Sequence, residues 1–205
     1  MYGKIAKRIT ISLIKSEIVE SDEQAVYEYS IEVMLSDFVY LVIALITAIS
    51  TNAVIETLLF YTGFFSIRKC AGGYHADTYW MCHVLFGANQ LVMILLQFIL
   101  PKISLPYVTT AITLISVICI FIFAPVSNKN REFTKNEYKE FSLRSRLIAV
   151  LTAIGISALV LANVHTKSIF VYAFGVFSVS ISLMAEKIKN KYRKEISDEE
   201  YKRTD

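Results

Sequence analysis

No stretch rich in glycine, proline and serine interrupts this chain, so neither a linker nor a second domain is expected. Three cysteines, Cys70, Cys82 and Cys119, are too few and too scattered for a disulfide scaffold. The N-terminus has basic residues but lacks a continuous apolar core and a small-residue cleavage site, so a secretory signal is not expected. Charge is also scarce. Only 19% of the 205 residues are Asp, Glu, Lys or Arg, against 55% hydrophobic, and the mean hydropathy is +0.50. A soluble domain of this length rarely sustains so apolar an average. The charges that exist fall in short runs between long apolar ones.

Several apolar runs approach the roughly 20 residues that cross a bilayer. They are 34–50, 53–67, 84–100, 107–124, 147–163 and 169–185. The second is the weakest, being short and carrying Glu56 near its start. The pattern predicts an all-α, polytopic integral membrane protein of one domain. A six-span bundle fills 34–185, an amphipathic N-terminal region 1–28 precedes it, and a charged tail 186–205 follows. The tail is expected to extend the sixth helix into solvent and then fray.

Of the 21 Lys and Arg residues, all but Lys102 and Lys167 fall on one side of these spans. The positive-inside rule then places both termini, the 68–83 segment and the 126–146 loop in the cytoplasm of a multi-pass cell-membrane protein. On a helical wheel Tyr2, Ile5, Ala6, Ile9 and Leu13 share one face, and Lys4, Lys7, Arg8 and Lys15 the other. That suits a helix lying on the cytoplasmic lipid surface, or one packed on the protein itself.

The polar chemistry concentrates between residues 68 and 82. Cys82 falls in the first turns of the third span, where a helix N-terminus favours thiolate over thiol; alternatively it is a small buried apolar residue. His75 is the nearest candidate base. On one continuous helix His75 and Cys82 share a face but stand about 10.5 Å apart along the axis, too far for contact. For the pair to meet, the helix must break or begin between them, and Asp77 or Thr78 offers an N-cap for such a start. Gly72 and Gly73 allow positive φ and close backbone approach, by a substrate strand or in a plain tight turn. Their amides could also serve an oxyanion hole. Arg68 either binds a substrate carboxylate or anchors the second span at the headgroups. Asp77 either orients His75 or, by its charge, disfavours the thiolate.

Other readings compete. Cys70, His75, Cys82 and His83 form a set that could hold zinc, but in no common structural spacing. A thiol-redox protein would need Cys70 as the partner of Cys82. A six-span transporter should carry ionisable residues or broken helices at mid-membrane; here Asn89 and Gln90 are the main polar pair, either lining a cavity beneath Cys82 or joining helices. His165 and Cys119 read as structural. No metal, cofactor or nucleic-acid partner is expected.

The segment Arg68, Ala71-Gly72-Gly73-Tyr74-His75 and Cys82 resembles the motif of the AgrB family of membrane cysteine endopeptidases. The later Ala124-Pro125-Val126-Ser127-Asn128-Lys129-Asn130-Arg131 resembles that family's Pro-containing element after the fourth span. The resemblance extends over nearly the whole chain. It implies that Cys82 is the nucleophile and His75 its general base. It also implies a homodimer whose substrate is an AgrD-like quorum-sensing precursor, with an acidic C-terminal tail removed through an acyl-enzyme and the remainder closed to a thiolactone or lactone. Arg68 and Gly73 match positions that family activity requires. Asp77 lies outside the pattern. The basic 126–146 loop is a candidate attractor for the acidic tail, or ordinary positive-inside bias.

Overall fold

A computed structural model describes residues 2–74, 76, 78–127, 133–162, 164 and 167–204, with the backbone alone for Tyr79 and 196–204. The described residues are helical apart from short connections, and they contain no strand. The chain divides into two compact units, Met1–Asn52 and Ala53–Asp205.

In the first unit, α1 (Tyr2–Lys15) packs against α2 (Gln24–Ser50), with a short 3-10 turn at Ser21–Glu23 between them. The buried positions of α1 are Ala6 and Thr10, one turn apart, and Thr10 Oγ1 donates to the Ala6 carbonyl at 3.0 Å. Ile5 and Ile9 stay exposed. Glu17, at φ 59°, ends α1: Ile18 N–H reaches Leu13 O and Glu17 N–H reaches Ile14 O, a Schellman-type closure. In α2 the buried residues Ser36, Tyr40, Ala44 and Ala48 recur every four positions and form one stripe, while Phe38, Leu41, Leu45 and Ile49 point outward. The helix starts ten residues before the apolar run read from the sequence.

The second unit is built around α7 (Lys167–Thr204), which contacts α3 (Val54–Ala71), α4 (Tyr79–Ile99), α5 (Leu105–Phe123) and α6 (Lys135–Leu161). Its most extensive contact is with α3. Two glycines permit it: a Cβ on Gly63 would run into the Tyr172 carbonyl, and one on Gly175 into the Phe60 carbonyl. Small residues that let backbones meet are how helices associate in lipid, where apolar burial drives nothing. One core cluster holds Phe64, Ile67, Ala71, Ile120, Val179 and Leu183; a second holds Phe60, Met93, Leu105, Phe170 and Phe174.

Among the described residues, five helical segments are long and apolar enough to cross a membrane: Ser21–Ser50, Trp80–Ile99, Leu105–Phe123, Lys135–Leu161 and Lys167–Glu195. Their outer faces carry exposed Leu, Ile and Phe, which is the expected surface in lipid and a liability in water. The α3 helix, with Glu56, Arg68 and Lys69 in its 18 residues, is not among them. Two expectations change. The second half of the 126–146 loop is helical, because Thr134 and Glu137 form a capping box that starts α6 at Lys135. The charged tail is helical to Thr204, and its first residue, Glu186, is only 1% exposed rather than solvated.

Candidate active site

The site begins where α3 stops. Gly72, at φ 73°, caps the helix, and its N–H donates to the Arg68 carbonyl at 3.1 Å. That amide is committed to the cap, so in this arrangement it is not an oxyanion donor. Beside Gly72, where the sequence allowed either a substrate strand or a plain tight turn, lies the chain itself. After α5 the backbone turns through a cis Ala124–Pro125 bond, and Val126 pairs with Gly72 as an isolated parallel bridge. Val126 N–H donates to Ala71 O at 3.0 Å. A Cβ on Gly72 would meet the Val126 carbonyl oxygen, and one on Gly73, at φ 129°, would meet the Arg68 guanidinium and Ser182 Oγ. Only glycine fits both places.

Arg68 is half-buried, and its guanidinium bonds to the protein itself. Its Nη1 donates to the Gly72 carbonyl at 2.7 Å and to Ser182 Oγ at 2.9 Å, and its Nη2 donates to the Tyr74 carbonyl at 2.6 Å. The guanidinium thus ties the end of α3, the 72–74 turn and α7 together. The fork geometry of arginine suits three such acceptors at once. Tyr74 N–H donates to both the carbonyl and the hydroxyl oxygen of Ser182, each at 2.9 Å. The guanidinium is attracted to both Cys82 and Glu186.

Thr78 is the N-cap of α4, and its side chain accepts from Met81 N–H at 3.3 Å. Cys82 is the fourth residue of the helix, and its N–H reaches the Thr78 carbonyl at 3.2 Å. The sulfur-bearing residue therefore sits one turn from a helix N-terminus, within electrostatic reach of Arg68. No disulfide joins the three cysteines. His75 and Asp77 lie outside the described residues, so the Cys70, His75, Cys82 and His83 set is described only in part. Among the described residues no group of three ligands could hold a metal ion.

Cys82 lines a cleft of about 430 Å³ between α3, α4 and α7. Its walls are mostly apolar: Phe64, Leu85, Phe86, Ile181 and Ala185, with Tyr74 and Ser182 towards the turn. Asn89 and Ser178 form a polar pair on the wall, joined at 3.2 Å. Gln90 instead joins helices, accepting from Tyr61 OH at 3.1 Å and donating to Thr57 Oγ1 at 3.3 Å. So of the two polar neighbours, Asn89 faces the cleft and Gln90 the α3 interface. A cleft with one nucleophilic atom, a nearby cation and apolar walls can bind an apolar chain segment and attack a carbonyl held in it.

Sequence reasoning missed Ser182, which bonds to this turn from α7, and the burial of Glu186 one turn further on, while Val126, which pairs with Gly72, lies in the Pro-containing element. The one available signal was Glu186 directly abutting an apolar run.

The family model for Accessory gene regulator B matches residues 6–183. The Accessory gene regulator protein B of Staphylococcus epidermidis, and its counterparts in two strains of that species, are each 27% identical to this chain over 138 residues. That alignment covers 67% of this chain and 67% of each relative. No solved structure matches.

Proposed function

The chain belongs to the accessory gene regulator B family, and from that premise we propose that it is a membrane cysteine endopeptidase that processes a quorum-sensing precursor. The observation that carries this reading is Cys82, one turn inside α4, beside the Arg68 cation and opening on an apolar cleft.

In the proposed reaction His75 takes the thiol proton and the Cys82 sulfur attacks the scissile carbonyl of an AgrD-like peptide. The carbon–nitrogen bond breaks, and the leaving amine of the C-terminal tail takes a proton from His75. The product is a thioester on Cys82. A cysteine or serine inside the peptide then attacks that thioester carbonyl, gives its proton to His75 and releases the Cys82 sulfur. The ring so formed is a thiolactone or lactone. The apolar walls limit water, which would otherwise hydrolyse the thioester before the peptide folds back. Asp77 is the neighbour best placed in sequence to orient His75, and Gly72 and Gly73 shape the turn.

The same reading treats α3 as a sixth crossing. Its 18 residues span about 27 Å, and Arg68 and Lys69 at its end join the other basic segments on the cytoplasmic side. The α1 helix would lie at the lipid surface through Ile5 and Ile9, and the protein would work as a homodimer. Co-expression with a precursor tests the core of the proposal. Cys82→Ala and His75→Ala should each abolish processing, with Cys70→Ala retaining most of it; processing that survives Cys82→Ala would sink the mechanism.

A further inference from the structure

We infer that Ser182 and Glu186, neighbours one turn apart on α7, are positioning residues that fix Arg68 and, through it, the 72–74 turn beside Cys82. The inference rests on Cys82 being the reacting thiol. Ser182 Oγ sits at the junction: it accepts from Arg68 Nη1 and from Tyr74 N–H, both at 2.9 Å. Glu186 follows four residues later on the same face and is 1% exposed. A carboxylate so deeply buried needs a counter-charge or complete hydrogen bonding. Arg68 is attracted to it, as it is to Cys82 on α4. Lys189, further along α7, has its Nζ 5.0 Å from the centre of the Tyr74 ring.

The arrangement explains why an arginine at a helix end is turned inward. Alone, the Arg68 side chain has the freedom of a long flexible stem. Held by the Ser182 hydroxyl, with the buried Glu186 carboxylate one turn further along α7, it presents a positive charge to the thiol and binds two carbonyls of the turn. Because α7 supplies both groups, a movement of α7 along its own axis would shift Arg68 relative to Cys82.

The test is the rate at which iodoacetamide alkylates Cys82 in membranes holding the full chain, followed by mass spectrometry of the Cys82 peptide between pH 6 and 10. Thiolate, not thiol, reacts. Ser182→Ala and Glu186→Gln should each slow alkylation about three- to tenfold at pH 7, the effect of losing up to one unit of thiolate stabilisation. The rates should converge with the unsubstituted protein near pH 10, above the ordinary thiol range of about 8.5. Arg68→Gln should slow alkylation similarly, and adding Ser182→Ala or Glu186→Gln to it should change nothing further. Slowing that persists at pH 10, effects that add to Arg68→Gln, or a faster reaction in Glu186→Gln would each overturn the inference. No precursor enters this assay. Loss of the peptidase reading would appear separately, as processing that survives Cys82→Ala.

Discussion

Arg68 and Ser182 are 114 residues apart in sequence, yet the guanidinium donates to the hydroxyl at 2.9 Å. That bond joins the end of α3 to the middle of α7, and the turn carrying Gly72 to Tyr74 is folded over it. The chemistry of the site therefore depends on how two distant helices pack, as well as on the motif itself.

Charge alone should not satisfy the Arg68 position. Lysine keeps the cation but cannot place two nitrogens on Gly72 O, Tyr74 O and Ser182 Oγ together. Arg68→Lys is expected to lower precursor processing about tenfold or more, in line with losing roughly 1.5–3 kcal/mol of charge-assisted hydrogen bonding. Equal processing by Arg68→Lys and the unsubstituted protein would show that only the charge matters.

Gly73 and Gly87 give a matched comparison. A methyl at Gly73 meets the Arg68 guanidinium and Ser182 Oγ at a φ that disfavours side chains, whereas nothing lies within 4 Å of the position a Cβ would take on Gly87. Gly73→Ala should therefore abolish processing, and Gly87→Ala should leave it within about twofold while adding up to about 1 kcal/mol of helix stability. Processing by both variants with detergent-solubilised melting temperatures would check this.

The α3–α7 contact should carry much of the second unit's stability. Gly175→Ala forces a methyl onto the Phe60 carbonyl and the Phe64 amide. Overpacking of this kind costs about 1–3 kcal/mol, and the expected reading is a clearly lower melting temperature in detergent. An unchanged melting temperature would mean that the helices separate at no cost.

The cleft should matter for a peptide more than for a small reagent. Ala185 lines the cleft wall, so Ala185→Trp fills part of it. Processing should fall at least about tenfold, because the bound segment loses apolar contact area. Iodoacetamide labelling of Cys82 should stay within about twofold. Equal losses in both assays would indicate that Trp disturbs Cys82 itself.

Much of this organisation was legible in sequence, and for local reasons. Apolar runs located α2 to α7 in the right order, and Thr78 was one of two candidate caps, with Asp77, because a short polar side chain before an apolar run supplies a missing acceptor. The position of Cys82 near a helix start followed from the same cap. The misses were of a different kind. Glu186 adjoins a charged tail, so its composition suggested solvent, whereas the packing of α7 against its neighbours leaves it 1% exposed. Ser182 looks like any small polar residue in a span. The early start of α6 came from the capping box at Thr134 and Glu137, which an apolar-run reading passes over. Periodicity reports a helix's own faces and carries no information on which neighbour covers them.

The central claim is that Cys82 forms a covalent thioester with the N-terminal part of the precursor. The most direct measurement is intact-mass spectrometry of the purified protein after brief mixing with a precursor whose internal cysteine or serine is replaced by alanine, so that ring closure is blocked. The account predicts an adduct equal to the precursor minus its C-terminal tail, mapped to Cys82, released by hydroxylamine and missing in Cys82→Ala. Tail release without any adduct on Cys82, or an adduct on Cys70, would contradict it.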